Sequence, residues 1–186
     1  MSGVLSPFGA GASDTWVAKL GLAAAPFPIE MINNTTITLT NGFFIAALVR
    51  PISGLITNLG AFITSASITP TGVNGMGLYS AAGVLLGQTA DLSSTWSGAT
   101  PGTYVEAPIS GGAVSVSTGS NYYVAALGHN TTPPGIGVFF AGAGVSYPAV
   151  KGNVPVIADS GHATMPASFN PATAGVGTAG YWFVAS

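Results

Sequence analysis

From Asn34 onward the chain runs in short apolar bursts separated by turn-forming clusters. Within the bursts, Thr35-Ile37-Leu39 and Val114-Val116 repeat with period two, which places alternate side chains on opposite faces of an extended strand. The turn clusters are Thr40-Asn41-Gly42, Val73-Asn74-Gly75, Ala82-Gly83, Ser110-Gly111-Gly112, Gly119-Ser120-Asn121 and Thr132-Pro133-Pro134-Gly135. Between them the pattern predicts strands over Thr35–Thr40, Gly42–Arg50, Gly54–Ala66, Gly75–Tyr79, Val84–Asp91, Gly102–Ile109, Ala113–Thr118, Asn121–Gly128, Gly135–Phe140 and Gly180–Ala185. Tyr79 to Leu85 reads as a hairpin tip. No stretch offers an amphipathic helix of three turns. Many short strands at this spacing predict an all-β fold, an antiparallel sandwich of jelly-roll or Greek-key type. The aromatic ending TAGYWFVAS is expected to return as a central strand with Trp182 inside. Residues 141–178 are rich in Gly, Ala and Pro and are expected to hold little regular structure.

The first 34 residues follow another pattern. MSGVLSPFGAGAS is broken by Gly, Ser and Pro and reads as an extended arm. Ser13 caps an expected short helix over Asp14–Leu20, with Asp14 at its positive end, Lys19 in its last turn and Gly21 as its stop. Trp16 and Leu20 then share a face. Pro26 and Pro28 keep the next residues extended. The expected division is an arm over 1–34 and a sandwich over 35–186. Phe8, Trp16, Leu20 and Phe27 are the candidate docking residues, with the arm lying on its own domain or on a neighbouring subunit.

Composition narrows the function. The chain has 186 residues, 48% of them hydrophobic, and only three basic and five acidic side chains. Gly, Ala, Ser and Thr make up about half of it. A folded monomer of this mass exposes on the order of 8,000 Å², so formal charges are about one per 1,000 Å². A net charge of −2 favours association over colloidal solubility. Three basic residues cannot neutralise a nucleic-acid footprint, so nucleic acid is not an expected partner. The absence of Cys removes disulfides, thiolate metal sites and Cys nucleophiles. The best apolar window, Gly42–Ile63, is cut by Arg50-Pro51, so no membrane span is expected. The N-terminus lacks the charged and apolar regions of a signal peptide.

Candidate chemistry is sparse. Asp159-Ser160-Gly161-His162 holds the residue types of a hydrolase triad. Triads, however, bring together side chains that point at one another, usually from distant segments, so a polar turn is the better reading. Asp91, expected to turn the chain or cap the next segment, and Glu106 are too few ligands for Ca²⁺. His129 lacks neighbours for a zinc site. A paired-carboxylate glycosidase would have only Asp14, Glu30, Asp91, Glu106 and Asp159 to draw on. No catalytic residue, metal or cofactor is expected, and the chain is not read as an enzyme. Arg50 is expected to pair with a carboxylate or carbonyls. Sugar binding is the alternative, through Trp96, Tyr104, Asn121, Tyr123, His129 and Asn130 at loops and strand ends. Tyr122 and Tyr123 are adjacent, so one faces inward and the other outward. Sequons at Asn33, Asn34 and Asn130 are read as incidental.

The segments NGFFIAALVRP, GLYSAAGVLLGQTAD, NYYVAALGHNTTPP and MPASFNPATAG with its AGYW ending occur in a series that resembles a known family. It is the β-sandwich domain of tailed-bacteriophage virion proteins, particularly in phages of actinobacteria, where it occurs in minor tail, fibre and head-associated proteins. The resemblance runs from Asn41 to Ser186 and leaves out the arm. It implies a jelly-roll-like sandwich and a structural role on the virion, after synthesis in the bacterial host cytoplasm. The implied partners are further copies of the chain, with a trimer favoured, and other virion proteins; the alternative is a host-surface glycan.

Overall fold

A computed structural model describes residues 22–24, 33–39, 41–65, 68–140, 156–172, 175–176, 179–181 and 183–186. In chain order the strands are β1 (Asn33–Thr38), β2 (Phe43–Val49), β3 (Leu55–Ile56), β4 (Asn58–Ser65), β5 (Thr69–Pro70), β6 (Gly75–Ser80), β7 (Leu85–Gln88) and β8 (Thr103–Pro108). They continue with β9 (Val114–Ser115), β10 (Tyr122–Gly128), β11 (Asn130–Thr132), β12 (Gly135–Phe140), β13 (Val156–Asp159), β14 (Gly175–Val176), β15 (Ala179–Tyr181) and β16 (Phe183–Ala185). The helix among the described residues, α1 (Ser93–Ser97), lies between β7 and β8.

The fold is an all-β antiparallel sandwich. One six-stranded sheet runs β1-β12-β4-β16, with β15 also on β12 and β8 also on β4. The other runs β14-β13-β2-β10-β6-β7. Two small ladders, β11-β5 and β3-β9, close off loops. The expected strand Gly54–Ala66 divides into β3 and β4 at Thr57. The final strand divides too: β15 pairs with β12, then β16 crosses to β4. Phe183, Val184 and Ala185 are fully buried, as expected for a central strand; Trp182 lies outside the described residues. The hairpin expected from Tyr79 to Leu85 is present, with Gly83 at φ +76° and its N–H donating to the Ser80 carbonyl at 2.9 Å.

The core forms where the two sheets face each other. Ile45, Ala47 and Val49 of β2 and Val124 and Ala126 of β10 meet Leu59, Ala61 and Ile63 of β4 and Phe183 of β16. The intervening residues of β2 and β10 point the other way, yet Phe44, Ala46, Tyr123, Ala125 and Leu127 are also buried. A second cluster covers them, with Met165 and Phe169 packed over the sheet's outer face. The runs FFIAALV and YYVAALG are therefore continuous and apolar because both faces are covered.

Residues 141–178, expected to hold little regular structure, contribute two short strands among the described residues. Within them β13 pairs with β2 over four residues and β14 pairs with β13. Residues 163–172 form a strap across the outer face. Phe169 contacts the Phe44, Tyr79 and Tyr123 rings at centroid distances of 5.4, 5.0 and 5.3 Å. The Tyr79 hydroxyl donates to the Pro166 carbonyl at 2.8 Å, and burial holds its pKa above the ordinary phenol value.

Three residues of the expected arm lie on its own domain: Leu22, Ala23 and Ala24 are buried. The Ala23 N–H donates to the Ala185 carbonyl at 2.6 Å and the Ala185 N–H to the Ala24 carbonyl at 3.0 Å. Residues 22–24 thus belong to the sandwich, beside the C-terminal strand. The candidate docking residues Phe8, Trp16, Leu20 and Phe27, and the helix expected over Asp14–Leu20, lie outside the described residues. Among the described residues no helix is long and apolar enough to cross a membrane.

Candidate functional site

One end of the sandwich brings together both histidines of the chain. The turn Asn41–Gly42 leads into β2, and His129 follows β10 on the neighbouring strand. The turn after β13 carries Gly161 and His162. Because β2 pairs with both β10 and β13, these three chain positions converge. With Thr71 and Ala163 they line an open depression of about 380 Å³.

Glycine permits the close approach. Gly42 has φ +69°, and a Cβ there would stand 3.2 Å from the His162 carbonyl oxygen. The Gly42 N–H donates to the Gly128 carbonyl at 2.8 Å, while the His162 N–H donates to the Gly42 carbonyl at 3.2 Å. His129 ties the loops together. Its Nε2 lies 2.6 Å from the His162 carbonyl oxygen. A carbonyl can only accept, so Nε2 carries the proton. Its Nδ1 lies 3.0 Å from the Asn41 side-chain amide, which the Thr71 hydroxyl also meets at 3.2 Å. His162 Nε2 contacts Asp159 Oδ2 at 2.9 Å. That bond and the Ser160 N–H lower the Asp159 pKa against a small opposing effect of burial. Asp159-Ser160-Gly161-His162 is a polar turn, closed from i to i+3.

Behind the depression, fully buried Asn74 organises the loops. Its Nδ2 donates to Ser93 Oγ at 2.8 Å, and its Oδ1 accepts from the His129 N–H at 2.9 Å and Asn130 Nδ2 at 2.6 Å. Asp91 Oδ1 accepts from the Asn74 N–H, the Ser93 N–H and the Ser93 hydroxyl. Burial by itself would raise the Asp91 pKa, but these three hydrogen bonds hold it below the ordinary carboxylate value. Asp91 thus turns the chain into α1. The helix places Leu92 and Trp96 on one face, toward the core.

Most of the expected sugar-binding residues are elsewhere. Trp96 is 1% exposed and Tyr123 is fully buried under Phe169, which pushes the Tyr123 hydroxyl up to about 12. Asn130 is buried too, with Nδ2 committed to Asn74. These three are corrected from exposed positions to packing positions. Tyr122 and Tyr123 do alternate, but the strap covers the outward face. Tyr104, half-buried, donates to Glu106 Oε2 at 2.6 Å. Its ring lies where a side chain on Gly60 would be. Burial and Glu106 both raise its pKa. Asn121 Oδ1 accepts from Arg50 Nε at 2.8 Å, the kind of carbonyl partner expected for that arginine. Asn121 and His129 flank opposite ends of the seven-residue β10, roughly 26 Å apart along the chain. His129 alone of the six lines the depression. Reasoning from the sequence did not single out Asn41 or Thr71 as site residues, and it read Gly161 and His162 only as part of a polar turn. Among the described residues no group of three or more His, Cys, Asp or Glu side chains could hold a metal ion.

Compared with known proteins, the chain matches no family model and no curated relative.

Proposed function

We propose that this chain is a structural protein of a tailed-bacteriophage virion, on the head or tail surface. The segment before Leu22 fastens it to the particle or to adjacent subunits, and the sandwich presents its loops outward. The observation that carries this reading is the charge-poor surface, with eight formal charges over 8601 Å². Such a surface suits permanent contact with copies of itself and neighbours better than solitary life in solution. The hydrogen bonds between residues 22–24 and the C-terminal strand support the fastening role. A force on the preceding segment would pass directly into the core sheet. Symmetric assembly would reuse one such contact many times, and a homotrimer is the preferred state.

Gold-labelled antibody to the sandwich tests the proposal on intact, purified phage particles. Regular labelling at one structure of the particle supports it. Particles with no label, beside abundant free protein in the same lysate, would refute it.

A further inference from the structure

The depression beside Asn41 and His162 has more polar capacity than its internal hydrogen bonds use. One end of the Asn41 amide meets the Thr71 hydroxyl and His129 Nδ1, and its other end has no hydrogen-bond partner among the described residues. His162 uses Nε2 on Asp159, leaving Nδ1. Asp159 takes one bond on each oxygen and can accept more; its side chain is 51% exposed. Thr71 is exposed. Gly161 sits at φ +87°, and a Cβ there would meet nothing within 4 Å, so that side is open. The internal bonds hold these groups on the ends of paired strands, which lowers the ordering cost of binding.

The chemistry selects the ligand class. No Lys or Arg lines the depression, and the Asp159 carboxylate beside it, paired with His162, disfavours an anion. A metal ion finds too few ligands among the described residues. A neutral ring bearing several hydroxyls can use a carboxylate, an amide, a hydroxyl and an imidazole together. The volume of about 380 Å³ is at the small end of ligand sites, enough for one or two sugar rings.

We propose that this depression binds a neutral sugar residue. Asn41, Thr71, Asp159 and His162 make the contacts, and His129 acts behind them as a positioning residue. The site rests on its own geometry and does not depend on the virion role, so either idea can fail alone.

Saturation-transfer NMR on the full chain tests it, with methyl glycosides of neutral hexoses and pentoses, N-acetylhexosamines, and glucuronate as the charged probe. The expected result is transfer to at least one neutral sugar. Binding should weaken at least tenfold in Asp159→Ala and in Thr71→Val, and not in the distant Ser115→Ala, with parent-like far-ultraviolet circular dichroism confirming the fold. No transfer to any neutral sugar would overturn the proposal. So would binding unaffected by both site variants, or glucuronate binding as well as the neutral sugars.

Discussion

Replacing Phe169 by Ala tests the two-sided burial of the second sheet. Phe169 is the main apolar anchor of the strap and touches three rings of the outer face. A fully buried Phe→Ala change costs about 3–5 kcal/mol. Phe169 keeps part of its surface in solvent, so about 2–3 kcal/mol is expected, much of it from the aromatic contacts. In a domain of this size that is a fall in Tm of roughly 4–12 °C. Urea titration gives the free energy, and the tyrosine near-ultraviolet circular dichroism should weaken as Tyr79 and Tyr123 lose their neighbour. Hydrogen exchange adds location. The Leu85 amide, bonded to the Ala167 carbonyl at 3.0 Å, and the Phe169 amide, bonded to the Gly83 carbonyl at 2.9 Å, should lose protection first. Ser168→Ala, an exposed neighbour, should stay within about 0.5 kcal/mol of the parent. If Phe169→Ala also changes stability by less than about 0.5 kcal/mol, the strap is not part of the packed structure and the account of the outer face is wrong.

Other expectations follow from the same contacts. Gly42→Ala should cost about 1–3 kcal/mol in urea titration, combining a left-handed backbone with the nearby His162 carbonyl. Gly161→Ala, equally left-handed but open, should cost less. Asp91 has a lowered folded pKa, so its stabilisation is full above the unfolded value of about 3.9 and is lost as pH falls through the folded value. Asp91→Asn should therefore lie below the parent at pH 7 in urea titration, and the gap should close in the acid range. Deleting residues 1–24 should destabilise the domain by about 2–4 kcal/mol relative to deleting 1–21, because Leu22 and the bonds to Ala185 go with it.

Period-two alternation and Gly- or Pro-marked turns made most strands legible, because each strand's own residues carry that signal. The strap was not legible: between 163 and 172 its contacts to the core come from Met165 and Phe169 amid small and polar residues. The clue lay in the strands beneath. FFIAALV and YYVAALG are too continuously apolar for a half-solvated sheet. Residues 22–24 left no signal because a pairing of three residues has no periodicity, and Leu-Ala-Ala before Pro26 resembles any extended linker. Trp96 and Asn130 read as exposed because their sequence neighbours are loop residues. A five-residue helix turns the first inward, and the Asn74 amide holds the second. The depression is assembled from positions 41, 71, 129 and 161–163, which only the pairing of β10 and β13 with β2 brings together.

The central claim is that the segment before Leu22 fastens a self-sufficient sandwich to a virion. Phage whose genomes encode the chain without residues 2–21 test it most directly, by quantifying the protein in purified particles while measuring the melting of the free truncated protein. The account predicts a folded protein, with parent-like circular dichroism, that is missing from the particles. Particles carrying the truncated protein at the parent's occupancy would contradict it.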